Sequence, residues 1–402
     1  MKTVAVIAEY NPFHKGHEHQ LREIKRAFGE DTAIVAIMSG NFVQRGTPAI
    51  LGKFDRARMA VECGVSLVLE MPFPFSASSA EYFAAAGVSI ANDLGVVDVL
   101  SFGSECGDVA LLSDVADKIQ APEFILQLRE KLRGKTEKEK GYPRVLSEML
   151  SEAYGDVFPT SLFLPNNILS ISYISALKKL RSSIVPHTIL RTGSDESAAD
   201  EGVFAGATYL RSLLLSGERE EALKHVPQNL LPLWEEAYAH GLAPVSDASF
   251  STALLAHLRL SDAPASTFAE SGGGVLSLLR KAARKAHDLD SLYEIAATKK
   301  YTTARLRRAT LFSYFGVTPA AMKAKPLYTQ VLAMDQKGQK VLANIRKTAH
   351  ISLLTKPADL HKLSLAARAQ AELSYRADSV YALLSPAPQK ADVFLRTAPY
   401  RK

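Results

Sequence analysis

The chain opens on Thr3-Val4-Ala5-Val6-Ile7-Ala8, which runs without a break into Glu9-Tyr10-Asn11-Pro12-Phe13 and then His14-Lys15-Gly16-His17. A Val/Ile-rich run with no polar alternation suits a strand covered on both faces, which restricts the chain to an α/β layering. Pro12 and Gly16 punctuate the turn that follows. Leu21, Ile24, Ala27 and Phe28 then recur at helical spacing, so His14 and His17 fall around the first turn of a helix. Unpaired backbone N–H groups and the positive end of the dipole favour an anion there. Two imidazoles in that setting would stabilise charge growing on a phosphate during displacement. The plainer alternative is that both histidines only shape the turn and cap the helix.

The pattern continues in kind. Strands are predicted at Thr32–Met38, Val65–Met71 and Val96–Phe102, with helices at Arg56–Cys63, Ala77–Leu94 and Val109–Leu128. Such alternation implies a parallel sheet with right-handed crossovers, whose ligands bind beyond the carboxyl ends of the strands. The loops there are polar and glycine-bearing: Ser39 to Gly46, Pro72 to Ser76, and Gly103-Ser104-Glu105. Gly103 would let a ligand approach the backbone, or simply make a turn. Arg129 to Gly141 is a charged helix end or loop. Pro165-Asn166-Asn167 opens a helix that either asparagine would cap, and Ile184–Leu190 reads as the last strand, ending at Arg191. In Ala205-Gly206-Ala207-Thr208-Tyr209-Leu210-Arg211 a further helix begins, with Thr208 as its cap and Arg211 in its first turn.

Composition narrows the function classes. The 402 residues are 47% hydrophobic, enough for sizeable cores, and no apolar run approaches the length that spans a bilayer. A signal-peptide pattern is interrupted by Glu9, His14 and Lys15, so a cytoplasmic protein without a membrane partner is expected. Cys63 and Cys106 lack ligand spacing, which indicates neither a disulfide framework nor a metal site. From Lys299 to Lys402 there are 19 Lys and Arg against 5 Asp and Glu, a balance of +14; the preceding residues carry 29 against 37, or −8. A basic segment on an acidic body is the electrostatic footprint of a nucleic-acid contact surface. At its head Lys299, Lys300, Tyr301, Arg305, Arg307 and Arg308 gather; on one helix Tyr301, Arg305 and Arg308 would share a face suited to phosphates and a stacked base. Residues 218–298 read as mostly helical.

The strand, turn and His-x-Gly-His together resemble the signature of the nucleotidyltransferase superfamily, whose members attack the α-phosphate of ATP and release pyrophosphate. In combination with the MSGNFVQRGTPA loop, FGSECGD, PNNIL, Arg191, GATYLR and KKYTTARLRR, the chain closely resembles the bacterial tRNA(Met) cytidine acetate ligase family over nearly its whole length. The resemblance implies an α/β fold: a Rossmann-like parallel-sheet nucleotidyltransferase domain (residues 1–217), a helical region (218–298) and a mainly helical, basic, tRNA-binding C-terminal region (299–402). It implies a ligase that activates acetate with ATP as acetyl-adenylate and acetylates N4 of the wobble cytidine of elongator tRNA(Met).

By the same resemblance the ATP site maps onto Ile7, Ala8, Glu9, Tyr10, Asn11, Pro12, Phe13, His14, Lys15, Gly16, His17, Glu18, His19, Gln20, Gly103, Asn166, Arg191 and Thr208. His14, His17 and Arg211 would be catalytic. Gly206-Ala207 stand where the superfamily's second signature usually has serines. The chemistry agrees, because a carboxylate attacking an α-phosphate is an anion approaching an anion and needs positive charge and donors more than a base. Lys15 would assist or face solvent. Magnesium would serve as a charge partner of pyrophosphate, with no carboxylate cluster to specify it. The competing readings are an adenylyltransferase or acetate ligase with another acceptor, and a non-catalytic RNA-binding protein on the same fold.

Overall fold

A computed structural model describes residues 1–133, 142–154, 164–191 and 204–402. Of the charged stretch 129–141, positions 134–141 lie outside the described residues. The opening run forms β1 (Thr3–Ala8), and α1 (Lys15–Phe28) follows the turn, burying Leu21 and Ile24. β2 (Ala33–Ser39) is buried throughout. A small hairpin of β3 (Phe42–Val43) and β4 (Thr47–Pro48) leads to α2 (Lys53–Glu62), β5 (Leu67–Met71), α3 (Ala80–Asp93) and β6 (Val99–Ser104).

The helix expected over 109–128 is two helices, α4 (Val109–Gln120) and α5 (Pro122–Arg133). Ala121 between them is extended at φ −61°, ψ 132°, the conformation that Pro122 imposes on its predecessor. Then come α6 (Tyr142–Tyr154), α7 (Pro165–Lys179), β7 (Val185–Leu190) and α8 (Ala207–Ser216).

Strand β1 pairs in parallel with β2 on one side, Thr3 opposite Ala33 through Ala8 opposite Met38, and with β6 on the other. The parallel block has the order β5-β2-β1-β6-β7, so the chain's direction of winding reverses between β1 and β6. That reversal leaves a crevice at the carboxyl ends of the strands, where open α/β sheets bind ligands. The sheet is covered on both faces, which explains the unbroken apolar runs. Val4, Val6, Ile34, Ala36 and Met38 enter one core, and Ala5, Ala33, Val35 and Ile37 the other.

Helices α9 (Arg219–Leu223), α10 (Leu231–Ala239), α11 (Ser251–Leu260), α12 (Val275–Ala283) and α13 (Leu289–Ile295) fill the middle of the chain. The C-terminal helices are α14 (Thr303–Phe315), α15 (Pro319–Lys323), α16 (Gln336–Thr348), α17 (Leu365–Tyr381) and α18 (Val393–Arg396).

Ile184–Leu190 is not the last strand. β8 (Tyr328–Met334) pairs antiparallel with β5, and β9 (Ser352–Leu354) and β10 (Tyr400–Arg401) pair in parallel with β8. The basic segment is therefore woven into the first sheet.

A buried ion cluster fastens this junction. Lys53 Nζ, wholly buried at the start of α2, lies 2.8 Å from Glu70 of β5 and 2.7 Å from Asp378 of α17, and donates to Gln330 of β8 at 3.3 Å. Asn41 donates its amide to the same Asp378 and accepts the backbone N–H of Lys53. Removing one partner of such a buried pair costs about 3–5 kcal/mol, because the other charge is left uncompensated.

Candidate active site

The turn after β1 is held open by its own backbone. His14 caps α1: its Nδ1 accepts the N–H of Gly16 at 3.0 Å, while the N–H of His14 donates to Nδ1 of His17 at 3.3 Å. The capping role and the chemical role thus fall on the same two residues. Because both Nδ1 atoms accept, the proton of each neutral imidazole is assigned to Nε2, the nitrogen able to donate to a phosphate oxygen. The two rings lie 3.9 Å apart, centroid to centroid. Gly16 is required here, since a Cβ would sit 2.8 Å from Cε1 of His14. Burial holds His17 well below the usual imidazole range, and the charges of His14 and Arg191 add to this. His17 is therefore a neutral donor at pH 7.

The other residues of the turn divide between site and scaffold. Tyr10 and Phe13 are buried and pack on the His17 ring at 5.0 and 5.4 Å. Ile7 fills the space beside Gly87 of α3, and the rings of His19 and Phe204 lie 5.2 Å apart. Asn11 accepts the N–H of Ile50 on its side chain and an Arg211 N–H on its carbonyl. Lys15 turns aside and donates to the carbonyl of Lys224 at 2.6 Å. Ala8 ends the strand and Glu9 follows it, Pro12 lies in the turn, and Glu18 and Gln20 lie on α1, Glu18 in its acidic first turn.

Two arginines approach the turn, Arg211 through Asn11 and Arg191 near His17. Arg211 donates to Asn11 at 2.8 Å and to the hydroxyl of Thr208 at 2.9 Å. Thr208 is not the helix cap: Gly206 holds that position, so the Thr208 hydroxyl is spent on Arg211. Arg191, following β7, donates to Oδ1 of Asn166 at 3.2 Å. Gly103 has its explanation in this arginine, since a Cβ would meet the Arg191 side chain at 2.9 Å.

Neither asparagine caps α7 with its side chain. Glu105 does so instead, accepting the backbone N–H groups of Asn166 and Asn167 at 3.1 and 2.7 Å. It also accepts from the Asn166 amide at 2.7 Å, which orients that side chain toward Arg191. Asn167 is wholly buried and braces the Glu105–Cys106 backbone.

Sequence reasoning missed Glu105 and Arg56. Arg56, buried within α2, donates to the carbonyls of Glu9, Gly40 and Leu51 and so ties three loops together. Glu105 could have been found as a lone charged residue in a loop after a strand, whereas Arg56, among Lys53, Asp55 and Arg58, gave no such signal.

The head of the basic segment departs from the expected face. Thr302 caps α14 with its hydroxyl on the N–H of Arg305, so Tyr301 precedes the helix and does not share its face. The Tyr301 hydroxyl donates to Gly273 O, and Arg305 lies over its ring at 5.0 Å. Arg305 and Arg308 both approach Glu270, at 3.6 and 3.3 Å, and Arg308 is only 9% exposed. Arg307 lies over the Tyr293 ring, while Lys299 and Lys300 are exposed.

A parallel sheet with a His-x-Gly-His turn at its first strand, flanked by two arginines, defines a nucleotidyltransferase-type ATP-cleaving fold, and the HIGH Nucleotidyl Transferase family matches residues 1–393. The chain is 36% identical to the tRNA(Met) cytidine acetate ligase of Caldanaerobacter subterraneus subsp. tengcongensis, covering 89% of each chain. It is 32% identical to that of Acetivibrio thermocellus, covering 90% of each. Apo TmcAL of Thermotoga maritima superposes with a TM-score of 0.92 at 28% identity, covering 100% of this chain and 99% of that one. The Thermotoga maritima TmcAL crystal structure bound with alpha-thio ATP gives 0.89 at 29%, with the same coverage. This chain belongs to the tRNA(Met) cytidine acetate ligase family.

Among the described residues no group of three or more His, Cys, Asp or Glu could hold a metal ion. No helix among them is long and apolar enough to cross a membrane.

Proposed function

We propose that the protein uses ATP to activate acetate as acetyl-adenylate and then acetylates N4 of the wobble cytidine of elongator tRNA(Met), giving N4-acetylcytidine, AMP and pyrophosphate. The observation that carries this reading is the His14–His17 pair at the start of α1, with His17 held neutral by burial and Arg191 and Arg211 near it, in a chain of this family. In the first step acetate, already ionised, attacks the α-phosphate. His14 and His17 donate to the crowded phosphorus centre, while Arg191 and Arg211 bind the remaining phosphate oxygens. Magnesium would act as a charge partner of pyrophosphate, and no carboxylate cluster among the described residues would hold it. In the second step the site must place the cytidine and exclude water from the anhydride. A wobble base lies in a single-stranded loop and can be splayed into a pocket at modest cost.

ATP belongs to the 1–217 segment, and tRNA to the segment after 298, working in the cytoplasm. Lys299, Lys300 and Arg307, with Tyr301, are the RNA contacts in this reading. Arg305 and Arg308 stand behind them, holding α14 against Glu270. The decisive experiment supplies ATP, acetate and a tRNA with an unmodified wobble cytidine, without acetyl-CoA. Mass spectrometry of the digested nucleosides should show an acetyl gain on cytidine. Acetylation supported by acetyl-CoA, and not by acetate with ATP, would overturn the proposal.

A further inference from the structure

Adenylate formation brings together anions, and a carboxylate inside its site works against it. Glu9 nevertheless follows β1 directly, half-buried, with Arg211 of the site facing its carboxylate. Among the described residues its carboxylate accepts one hydrogen bond, at Oε1 from the N–H of Gln44 at 2.9 Å, which leaves Oε2 uncommitted. Its own carbonyl is fixed by Arg56 at 2.6 Å. The groups facing the carboxylate are Arg211 of α8, Arg56 of α2, Arg45 of the β3–β4 turn and Tyr173 of α7. None of the three arginines closes to an ion pair with it.

The second step does need such a group. The amine of cytosine is a weak nucleophile because its lone pair is delocalised into the ring, and it must lose a proton as the amide forms. We propose that Glu9 takes the proton that N4 of the acceptor cytidine releases as the acetyl group is transferred. The nitrogen lone pair attacks the acetyl carbonyl carbon and forms the C–N bond. The anhydride C–O bond breaks, its electron pair leaving with AMP. The N4 proton passes to the Glu9 carboxylate and from there to water. Burial raises the Glu9 carboxyl above its ordinary value against the pull of Gln44 and the arginines, which brings its basicity closer to neutral pH.

This inference rests on the proposed function, and its test separates the two. Acetyl-adenylate supplied ready-made, with tRNA carrying an unmodified wobble cytidine, isolates acetyl transfer in a single turnover. Glu9→Gln keeps an oxygen for the Gln44 N–H and so preserves the loop, but it cannot take a proton. It should transfer on the order of 10²-fold more slowly and lose the rise of rate with pH. Glu9→Asp retains a carboxylate, and should keep that rise and a larger share of the rate.

Wild-type rate and pH profile in Glu9→Gln would overturn the inference and leave Glu9 as a loop anchor. Equal impairment of the two variants would overturn it as well. A defect confined to forming the adenylate from ATP would also do so, and would assign the carboxylate to the nucleotide. A wild-type protein that makes no N4-acetylcytidine from ATP and acetate, by contrast, fails the functional reading itself.

Discussion

The turn that opens α1 and the segment that opens at Lys299 both look like phosphate-binding surfaces in the sequence, yet they use their cations in opposite ways. At the turn, Arg211 and Arg191 donate to neutral oxygens of Asn11, Thr208 and Asn166, and the two histidines accept backbone N–H groups. Those bonds fix the direction of each guanidinium. In the basic segment, Arg305 and Arg308 approach one carboxylate, Glu270, and the second of them is buried. A balance of +14 therefore does not by itself say which cations face a ligand, since two of the arginines at its head approach Glu270. What matters is the partner each cation already has.

The largest effect that would break this comparison is at His17. His17→Ala should lower acetate-dependent pyrophosphate exchange by about a hundredfold or more, the cost of losing one positioned transition-state donor. Exchange near the wild-type rate in a folded variant would remove His17 from the site. The pH behaviour follows from the neutral ring. With its pKa depressed by burial, His17 stays unprotonated as the pH falls through about 6.5, so exchange should not drop there on its account. Stability should respond instead. Below that pH the unfolded chain binds a proton on this histidine that the native state refuses, so stability declines as pH falls toward the depressed native pKa. The His17→Ala variant should lack that part of the slope in denaturant titrations.

The basic segment predicts a sharper division. Arg308→Gln should lower the unfolding free energy by about 1–3 kcal/mol, because it leaves Glu270 without its closer partner, while the salt dependence of tRNA binding stays as it was. The double variant Lys299→Ala/Lys300→Ala should do the reverse. Its stability should hold, and the slope of log affinity against log salt should become shallower by about two. An unchanged slope would move RNA recognition to another surface. A shallower slope for Arg308→Gln would mean that the Glu270 pair opens for RNA.

The same division governs how far the sequence could be read. Strands β1, β2, β5 and β6 announce themselves because sheet burial on both faces demands uninterrupted Val, Ile and Leu. The His14–His17 turn is visible because its spacing is local. β8 is hidden, since its Thr329 and Gln330 read as polar while both are buried and bonded, one to the carbonyl of Glu70 and the other to Lys53. Those partners lie more than 250 positions away in the chain. Glu105 is hidden for a related reason: its task is to cap a helix that begins some sixty residues later. The helical face proposed for Tyr301 fails on one hydroxyl, that of Thr302, which starts α14 after it. Local periodicity carries the layers, whereas the polar joints that aim the site depend on which distant group each side chain meets.

Lys15 is the finest test of that distinction, because it sits inside the motif and yet behaves like the residues outside it. Its Nζ donates to the carbonyl of Lys224 beyond α9, and its backbone N–H donates to His225, so the side chain braces α1 against the helical region. The hydrogen bond is exposed, and such contacts contribute about 0.5–1.5 kcal/mol at most. Lys15→Ala should therefore lower stability by no more than that amount and change pyrophosphate exchange by less than about threefold. If exchange instead falls as far as in His17→Ala while stability is kept, the lysine leaves Lys224 when ATP arrives and joins the phosphate site. The contrast between scaffold and phosphate site would then have to be drawn inside the motif rather than between the two ends of the chain.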